Sequence, residues 1–151
     1  MTYFSDGEVL RSGAAIRHGL QNYIDGPEVM FRLWRLRDEL LDPIREQSGQ
    51  RILITEGYRN VTVNKAAGGV ANSAHVRGLA ADVVPLDGMG CPDLFDLIRK
   101  SELPFDQVIL ETETSGAQCV HIALAEEGHP PRRQALVRHG VPPACTYEAV
   151  T

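Results

Sequence analysis

Ser73-Ala-His75-Val-Arg-Gly78-Leu-Ala80-Ala-Asp82 is the most informative segment of this chain, and a second histidine, His121, follows it between two apolar residues. Gly78 permits a tight turn after His75. Asp82 opens an apolar strand, where an unpaired carboxylate is costly to bury, so a metal ion or another cation must compensate its charge. Neutral imidazoles and carboxylates are good zinc ligands, and three of them leave one coordination position open for water. The two histidines and Asp82 can therefore form a three-ligand zinc site.

Short strands and turns surround this segment. Apolar and β-branched runs, bounded by glycine, proline and polar residues, predict strands at 51–55, 80–84, 107–111 and 119–124. Residues 112–117 have the composition of a hairpin turn, which would make the last two strands neighbours. The remaining patterns predict short helices at 61–66 and 92–100 and a loop at 67–73.

A long amphipathic helix precedes the first strand. From Pro27 to Ile44, apolar residues recur at helical spacing with charged residues between them, and Gly49 ends the pattern. Pro27 suits the first turn of a helix, whereas Pro43 is expected to kink or break it.

The two ends of the chain carry weaker patterns. Residues 1–26 are expected to hold one short helix at most. The proline-rich stretch after Glu126 is expected to be a tail that wraps the surface and contains one short helix at 133–138. Together the elements indicate one α+β domain over residues 1–151, with a small antiparallel sheet packed against helices. Its motif-bearing core would span about 8–124, followed by a C-terminal extension at 125–151.

The composition is that of an ordinary globular protein. The 151 residues are 43% hydrophobic and 23% charged, which suffices to bury one core. The net charge of −5 argues against broad nucleic-acid binding, which needs a basic face. The three cysteines are widely spaced and are expected to be free thiols. We expect no signal peptide, no membrane span and synthesis in the cytoplasm, because no suitable apolar run is present.

The spacing Ser73-x-His75-x-x-Gly78-x-Ala80-x-Asp82, with His121 downstream, resembles peptidase family M15. That family includes zinc D-Ala-D-Ala carboxypeptidases and phage L-alanyl-D-glutamate endopeptidases, and it has the hedgehog/DD-peptidase fold. The resemblance extends to Ile54–Arg59, to Asn64 with Gly68-Gly69, and to Phe105–Glu111, a segment typical of the C-terminal M15A-type subgroup. The pattern departs from the family at Glu56, where serine is usual.

The resemblance implies roles for five residues. It assigns one catalytic zinc ion to His75, Asp82 and His121. Arg59 would bind a substrate carboxylate or carbonyl, since a planar guanidinium can donate two parallel hydrogen bonds. Ser73 would donate a hydrogen bond to the substrate or to the zinc-bound water. The alternatives are a structural arginine paired with an acidic neighbour and a serine that stabilises its loop.

The catalytic base is harder to assign. Hydrolysis of an amide at zinc needs a carboxylate that takes a proton from water and passes it to the leaving amine. Many family members carry that acid three residues before the last histidine, where this chain has Gln118. The M15A-type subgroup carries a glutamate at the end of the preceding strand, which is Glu111 here, so Glu111 is the expected base. Glu113 is the alternative.

Cys119 is a second departure, because tryptophan is common at that position of the family. Residues i and i+2 of a strand share a face, so Cys119 and His121 would point the same way. If Cys119 were a fourth zinc ligand, the site would be closed and not catalytic.

The function implied by the resemblance is zinc-dependent hydrolysis of stem or cross-bridge peptides of peptidoglycan, by a carboxypeptidase or an endopeptidase. The substrate partner would be a peptidoglycan peptide, and phage virion or lysis proteins are further partners that the phage relatives imply. Two alternatives remain open. One is a zinc-binding module that has lost turnover, which Gln118 and Cys119 favour, and the other is a structural phage protein of the tail.

Overall fold

A six-stranded sheet forms the centre of the computed structural model, which describes residues 2–151. The strands lie in the order β1-β2-β4-β3-β5-β6. All neighbours are antiparallel except β3 and β5, which are parallel. The predicted α+β fold is confirmed, with a mixed sheet in place of a wholly antiparallel one. The strands are β1 (Ile52–Glu56), β2 (Ala80–Pro85), β3 (Gln107–Thr112), β4 (Gln118–Ala123), β5 (Gln134–Val141) and β6 (Ala144–Ala149).

Helices cover one face and the ends of the sheet. In chain order they are α1 (Asp6–Val9), α2 (Gly13–His18), α3 (Pro27–Leu36), α4 (Asp42–Ser48), α5 (Val61–Ala66), α6 (Ala74–Arg77) and α7 (Cys91–Lys100). A π-helical turn, Arg37–Leu41, joins α3 to α4. It ends two residues before Pro43, which has no N–H to donate to the regular helical pattern. Pro27 occupies the first turn and Gly49 ends the helix at a φ of 66°, as predicted.

The two faces of the sheet have different environments because side chains alternate along each strand. One face packs against the helices and forms the core, with Val83, Val108, Leu110, Val120 and Ile122 all buried. The opposite face carries polar side chains from four neighbouring strands, namely Asp82, His121, Cys119, Glu111 and Arg138. The strand register therefore collects the polar residues on one surface.

The N-terminal segment holds two short helices, so the expectation of at most one is wrong. α1 begins after Ser5, whose hydroxyl accepts a hydrogen bond from the Glu8 N–H while the Glu8 carboxylate accepts one from the Ser5 N–H. α2 begins after Ser12, whose hydroxyl accepts a hydrogen bond from the Ala15 N–H. The Glu56 carboxylate accepts hydrogen bonds from the Ser12 hydroxyl and the Ala14 N–H, each of 2.7 Å. Glu56 thereby joins α2 to the end of β1.

Most of the stretch after Glu126 belongs to the sheet, as β5 and β6, so the predicted surface tail and its short helix at 133–138 are wrong. β4 ends beside the first residue of β3. A later strand that starts at this end of the sheet and pairs with β3 must therefore run parallel to β3. Ala135 is buried, and Val137 and Val150 pack against the same core. Pairing with the free edge of β3 therefore overrides the weak helical pattern.

Two further expectations concern the whole chain. Among residues 2–151, no helix has the length and apolar character that crossing a bilayer requires. The cysteines Cys91, Cys119 and Cys145 are free thiols, as predicted from their spacing.

Candidate metal centre

His75 lies on a single helical turn, α6, that two neighbouring residues hold in place. The Ser73 hydroxyl accepts a hydrogen bond of 3.2 Å from the His75 N–H. Gly78 ends the turn at a φ of 76°, and a Cβ there would lie 3.0 Å from the Val29 carbonyl oxygen, so only glycine fits well. The buried His75 ring has Nδ1 at 2.8 Å from the Gly57 carbonyl oxygen. That oxygen can only accept, so Nδ1 carries the hydrogen and Nε2 has a free lone pair.

Asp82 and His121 lie opposite each other on β2 and β4. His121 Nδ1 donates a hydrogen bond of 2.8 Å to Asp82 Oδ1, and His75 Nε2 lies 3.3 Å from the same oxygen. The centroids of the two imidazole rings are 5.1 Å apart. One potential ligand atom from each of the three residues lies within 4.8 Å of the other two. The structure thus brings together the three residues that the sequence predicts as zinc ligands.

The chemistry and spacing of this group fit a zinc ion. Two imidazoles and one carboxylate are a known donor set of catalytic zinc. Ligand bonds of about 2.0–2.1 Å in a tetrahedron put the ligand atoms roughly 3.3 Å apart, and His75 Nε2 lies 3.3 Å from Asp82 Oδ1. Among residues 2–151, no lysine or arginine forms an ion pair with Asp82, whose partners are the two histidines. A divalent cation would supply the missing positive charge.

Burial and contacts determine the protonation of these groups. Burial raises the pKa of Asp82, but the adjacent His75 and the hydrogen bond from His121 outweigh it and lower that pKa below its ordinary value. Burial lowers the pKa of His121, but the hydrogen bond and the charge of Asp82 outweigh it and raise that pKa. Asp82 therefore stays ionised at neutral pH, whereas His121 holds a proton more firmly than a free histidine.

We expect zinc binding to weaken as the pH falls through the raised pKa of His121. A histidine ligand must be deprotonated, so protons compete with the metal, while Asp82 stays ionised throughout this range. Zinc-loaded protein would be titrated from about pH 8 to about pH 5, and the released zinc measured with a chromophoric chelator. Zinc occupancy that does not change with pH would contradict ligation by His121.

His75, Asp82 and His121, called the ligand group below, line a groove on the surface. Arg59 and Ser73, the predicted substrate-binding residues, line the same groove beside them. The Arg59 N–H donates a hydrogen bond of 3.2 Å to the His75 carbonyl oxygen. The partly exposed Arg59 side chain lines the groove, and its buried Nε has no hydrogen-bond partner within residues 2–151. Ser73 is buried and caps α6 as an acceptor, which leaves its O–H free to donate.

Glu111 reaches the groove from β3. Its Oε2 accepts a hydrogen bond of 2.8 Å from Arg138 Nη1, and its Oε1 accepts one of 3.3 Å from the Cys119 thiol. The side chains of Arg138 and Glu111 are only 13% and 12% exposed. Burial raises the pKa of Glu111, and the charge of Asp82 raises it further. A carboxylate of raised basicity beside the ligand group is suited to proton transfer.

The other acidic or polar positions considered for the base are placed less favourably. Glu113 is exposed in the turn after β3 and does not line the part of the groove that contains His75. Gln118 Nε2 donates a hydrogen bond of 3.0 Å to the Thr112 hydroxyl and bridges the two strands of the hairpin. Glu111 therefore remains the predicted base.

Cys119 lies next to Glu111 rather than within the ligand group. Asp82, Glu111 and Cys119 form a second set whose potential ligand atoms lie within 4.8 Å of one another. Burial raises the pKa of the Cys119 thiol, as do the charges of Asp82 and Glu111. Cys119 does not belong to the set that contains both histidines, so its placement does not favour it as a fourth ligand of that group.

The groove consists of two cavities that share lining residues, among them Glu111 on β3. One part, of about 350 Å³, contains the three ligand candidates and Arg59. A second part, of about 520 Å³, adjoins it and reaches Glu113. Asp82, Glu111 and Arg138 line both parts, so these residues lie where the two parts meet.

The sequence model of the family described as Peptidase M15 matches residues 2–122. The chain belongs to the peptidase M15 family. The match includes the three ligand candidates together with Arg59, Ser73 and Glu111, and it confirms the resemblance drawn from the sequence motifs. Members of the family are, in general, zinc peptidases. A comparison with curated proteins found no match.

The groove of this M15 peptidase extends beyond the matched residues. Arg138, Pro142 and Tyr147 line it from β5, β6 and the turn between them. None of them was predicted as a site residue, because the family motifs in this chain end near residue 124. The short apolar run Ala135-Leu136-Val137 is the one sequence signal that favours a strand here.

Proposed function

We propose that this protein is a zinc-dependent peptidase that hydrolyses peptide bonds in the stem or cross-bridge peptides of peptidoglycan. The observation that carries the proposal is the convergence of His75, Asp82 and His121 at a groove, in a chain of the peptidase M15 family. The three side chains would hold one zinc ion. When bound, the ion polarises the scissile carbonyl and lowers the pKa of a water molecule toward about 7.

The remaining steps belong to side chains of the groove. Glu111 takes a proton from the attacking water at one carboxylate oxygen and delivers it to the nitrogen of the leaving amine. Arg59 binds a carboxylate or carbonyl of the substrate through its guanidinium group, since this residue lines the groove. Ser73 donates a hydrogen bond to the substrate from the start of α6.

The shape of the groove supports an endopeptidase over a carboxypeptidase. A carboxypeptidase has to accommodate only a short C-terminal segment beyond the bond it cuts. Here two cavities, of about 350 Å³ and about 520 Å³, lie next to each other and are both lined by Glu111. A peptide can therefore extend on either side of the scissile bond, as an internal bond of a cross-linked wall requires.

Mass spectrometry of the fragments released from purified peptidoglycan tests this function. Zinc-loaded protein is expected to release peptide fragments from at least one wall type, and their masses identify the bond. Release should stop when a chelator removes the zinc and resume when zinc is restored. If several wall types yield no fragments although zinc is bound stoichiometrically, the proposed activity is refuted.

A second candidate function is a zinc-binding module that binds wall peptides without cutting them. Two observations favour it: Gln118 stands where many family members have an acid, and both carboxylate oxygens of Glu111 are engaged, by Arg138 and by Cys119. In that case the protein would bind peptidoglycan in a zinc-dependent way and release no fragment.

A further inference from the structure

A row of side chains crosses four strands on the groove face of the sheet. Glu111 on β3 is paired with Cys119 on β4 and with Arg138 on β5, and Arg138 is paired with Tyr147 on β6. The row is next to the one that contains Asp82 and His121, which are paired on β2 and β4. The β5–β6 hairpin thus brings its own side chains to the centre of the site.

The contacts within this row hold Glu111 in one orientation. Arg138 Nη1 donates to Oε2 at 2.8 Å, and the Cys119 thiol donates to Oε1 at 3.3 Å. The ion pair is shielded from water, with the two side chains 13% and 12% exposed. Shielding strengthens the interaction relative to a surface pair, and the flat guanidinium orients a carboxylate better than a lysine ammonium does.

The register of β5 is what places Arg138 there. A shift of one residue would turn its side chain to the core face, because strand side chains alternate. Buried Ala135 and the packing of Val137 and Val150 against the core fix that register, and the Val150 N–H donates a hydrogen bond of 2.9 Å to the Ala135 carbonyl. The hairpin lies beyond the family match, which covers residues 2–122.

We infer that Arg138 is a positioning residue for the reaction, which acts by holding the carboxylate of Glu111 toward the groove. The β5–β6 hairpin therefore contributes a functional residue to the site. This inference rests on the proposed function, in which Glu111 transfers the proton. A general base has to be aligned with the water it deprotonates, and a misplacement of about 1 Å can cost about 10²-fold in rate.

The test compares Arg138→Met and Arg138→Lys with the wild type on soluble muropeptides from muramidase-digested peptidoglycan. We expect Arg138→Met to lower kcat by about 10²-fold with KM and zinc content unchanged, and Arg138→Lys to recover part of the loss. Arg51→Met is the matched control, because Arg51 also pairs with a carboxylate, Asp87, but is 66% exposed and lies outside the groove. Its kcat should equal that of the wild type.

Two further measurements separate positioning from other roles. If Arg138 acts through Glu111, adding Arg138→Met to Glu111→Gln should lower kcat no further. A raised KM at unchanged kcat, or additive losses in the double variant, would instead assign Arg138 to substrate binding and overturn the inference. A structural role would give a different result. Both Arg138→Met and Arg138→Lys would then melt at a lower temperature, and Arg138→Lys would keep the wild-type kcat.

A crystal structure of zinc-loaded Arg138→Met decides the matter without turnover. The Glu111 carboxylate should leave its wild-type position in this variant and keep it in Arg138→Lys. If Glu111 does not move, the inference is wrong even where the wild type cleaves wall peptides. If the wild type cleaves no muropeptide, the proposed function is wrong, and this structure still shows whether Arg138 positions Glu111.

Discussion

Asp82→Asn is expected to weaken zinc binding by more than about 10²-fold and to abolish hydrolysis. Removing a residue that only hydrogen-bonds to a metal ligand already lowers the metal affinity by about 10- to 100-fold. Asp82 would be a ligand itself, so a larger loss is expected. Asp82 Oδ1 is also the atom that both histidines approach, at 2.8 Å and 3.3 Å. The amide keeps the shape of the side chain but lacks the negative charge that balances the metal. Zinc per chain would be measured by plasma mass spectrometry after dialysis against a zinc buffer.

Asp87→Asn is the matched control for this variant. Asp87 also carries a paired carboxylate, which accepts hydrogen bonds from the exposed Arg51 side chain, but it lies outside the groove. This control should keep stoichiometric zinc and wild-type turnover. Stoichiometric zinc in Asp82→Asn would show that the metal is held without Asp82 and would contradict its role as a ligand.

Glu111→Gln is expected to lower the rate of hydrolysis by about 10²- to 10⁴-fold, the usual contribution of a general acid–base group, while zinc remains bound. Glutamine keeps the size of the side chain and one oxygen that can accept from Arg138, but it cannot take a proton from water. The variant should therefore still bind wall peptides. Turnover would be measured from fragment release, zinc by metal analysis, and folding by the thermal melting curve.

Glu113→Gln is the control for this prediction, because Glu113 is a nearby glutamate that is exposed in the turn. It should retain the wild-type rate. If Glu113→Gln loses activity and Glu111→Gln does not, the alternative base is the correct one. If neither variant differs from a wild type that binds peptidoglycan and releases nothing, the protein is a binding module without turnover.

Much of the fold can be predicted from local patterns. Pro27 and Gly49 mark the two ends of the long helix by their backbone preferences, and both act as predicted. β1 to β4 follow from apolar runs bounded by turn residues. The second N-terminal helix also has a local cause, the cap at Ser12. It was not predicted because the helix is too short to show an apolar periodicity. These features depend on interactions within a few residues, which a sequence displays directly.

The C-terminal strands could not be predicted in the same way. The prolines around 130 and 142 indicate irregular structure, and the stretch at 133–138 has no strong strand pattern. Its conformation follows from the free edge of β3, which is distant in sequence and accepts a parallel strand. The charge of Arg138 gives no hint of its partner, because the partner depends on which residue of β3 lies opposite.

The sequence by itself determined the chemistry available to this protein, since the residue types His75, Asp82 and His121 and the turn at Gly78 can be read from the chain. It also determined the family. Only the tertiary structure decided the environment of Glu111, where Cys119 and Arg138 each engage one carboxylate oxygen. Those contacts depend on strand register between distant segments, and register is selected by the packing of the opposite, apolar face of the sheet.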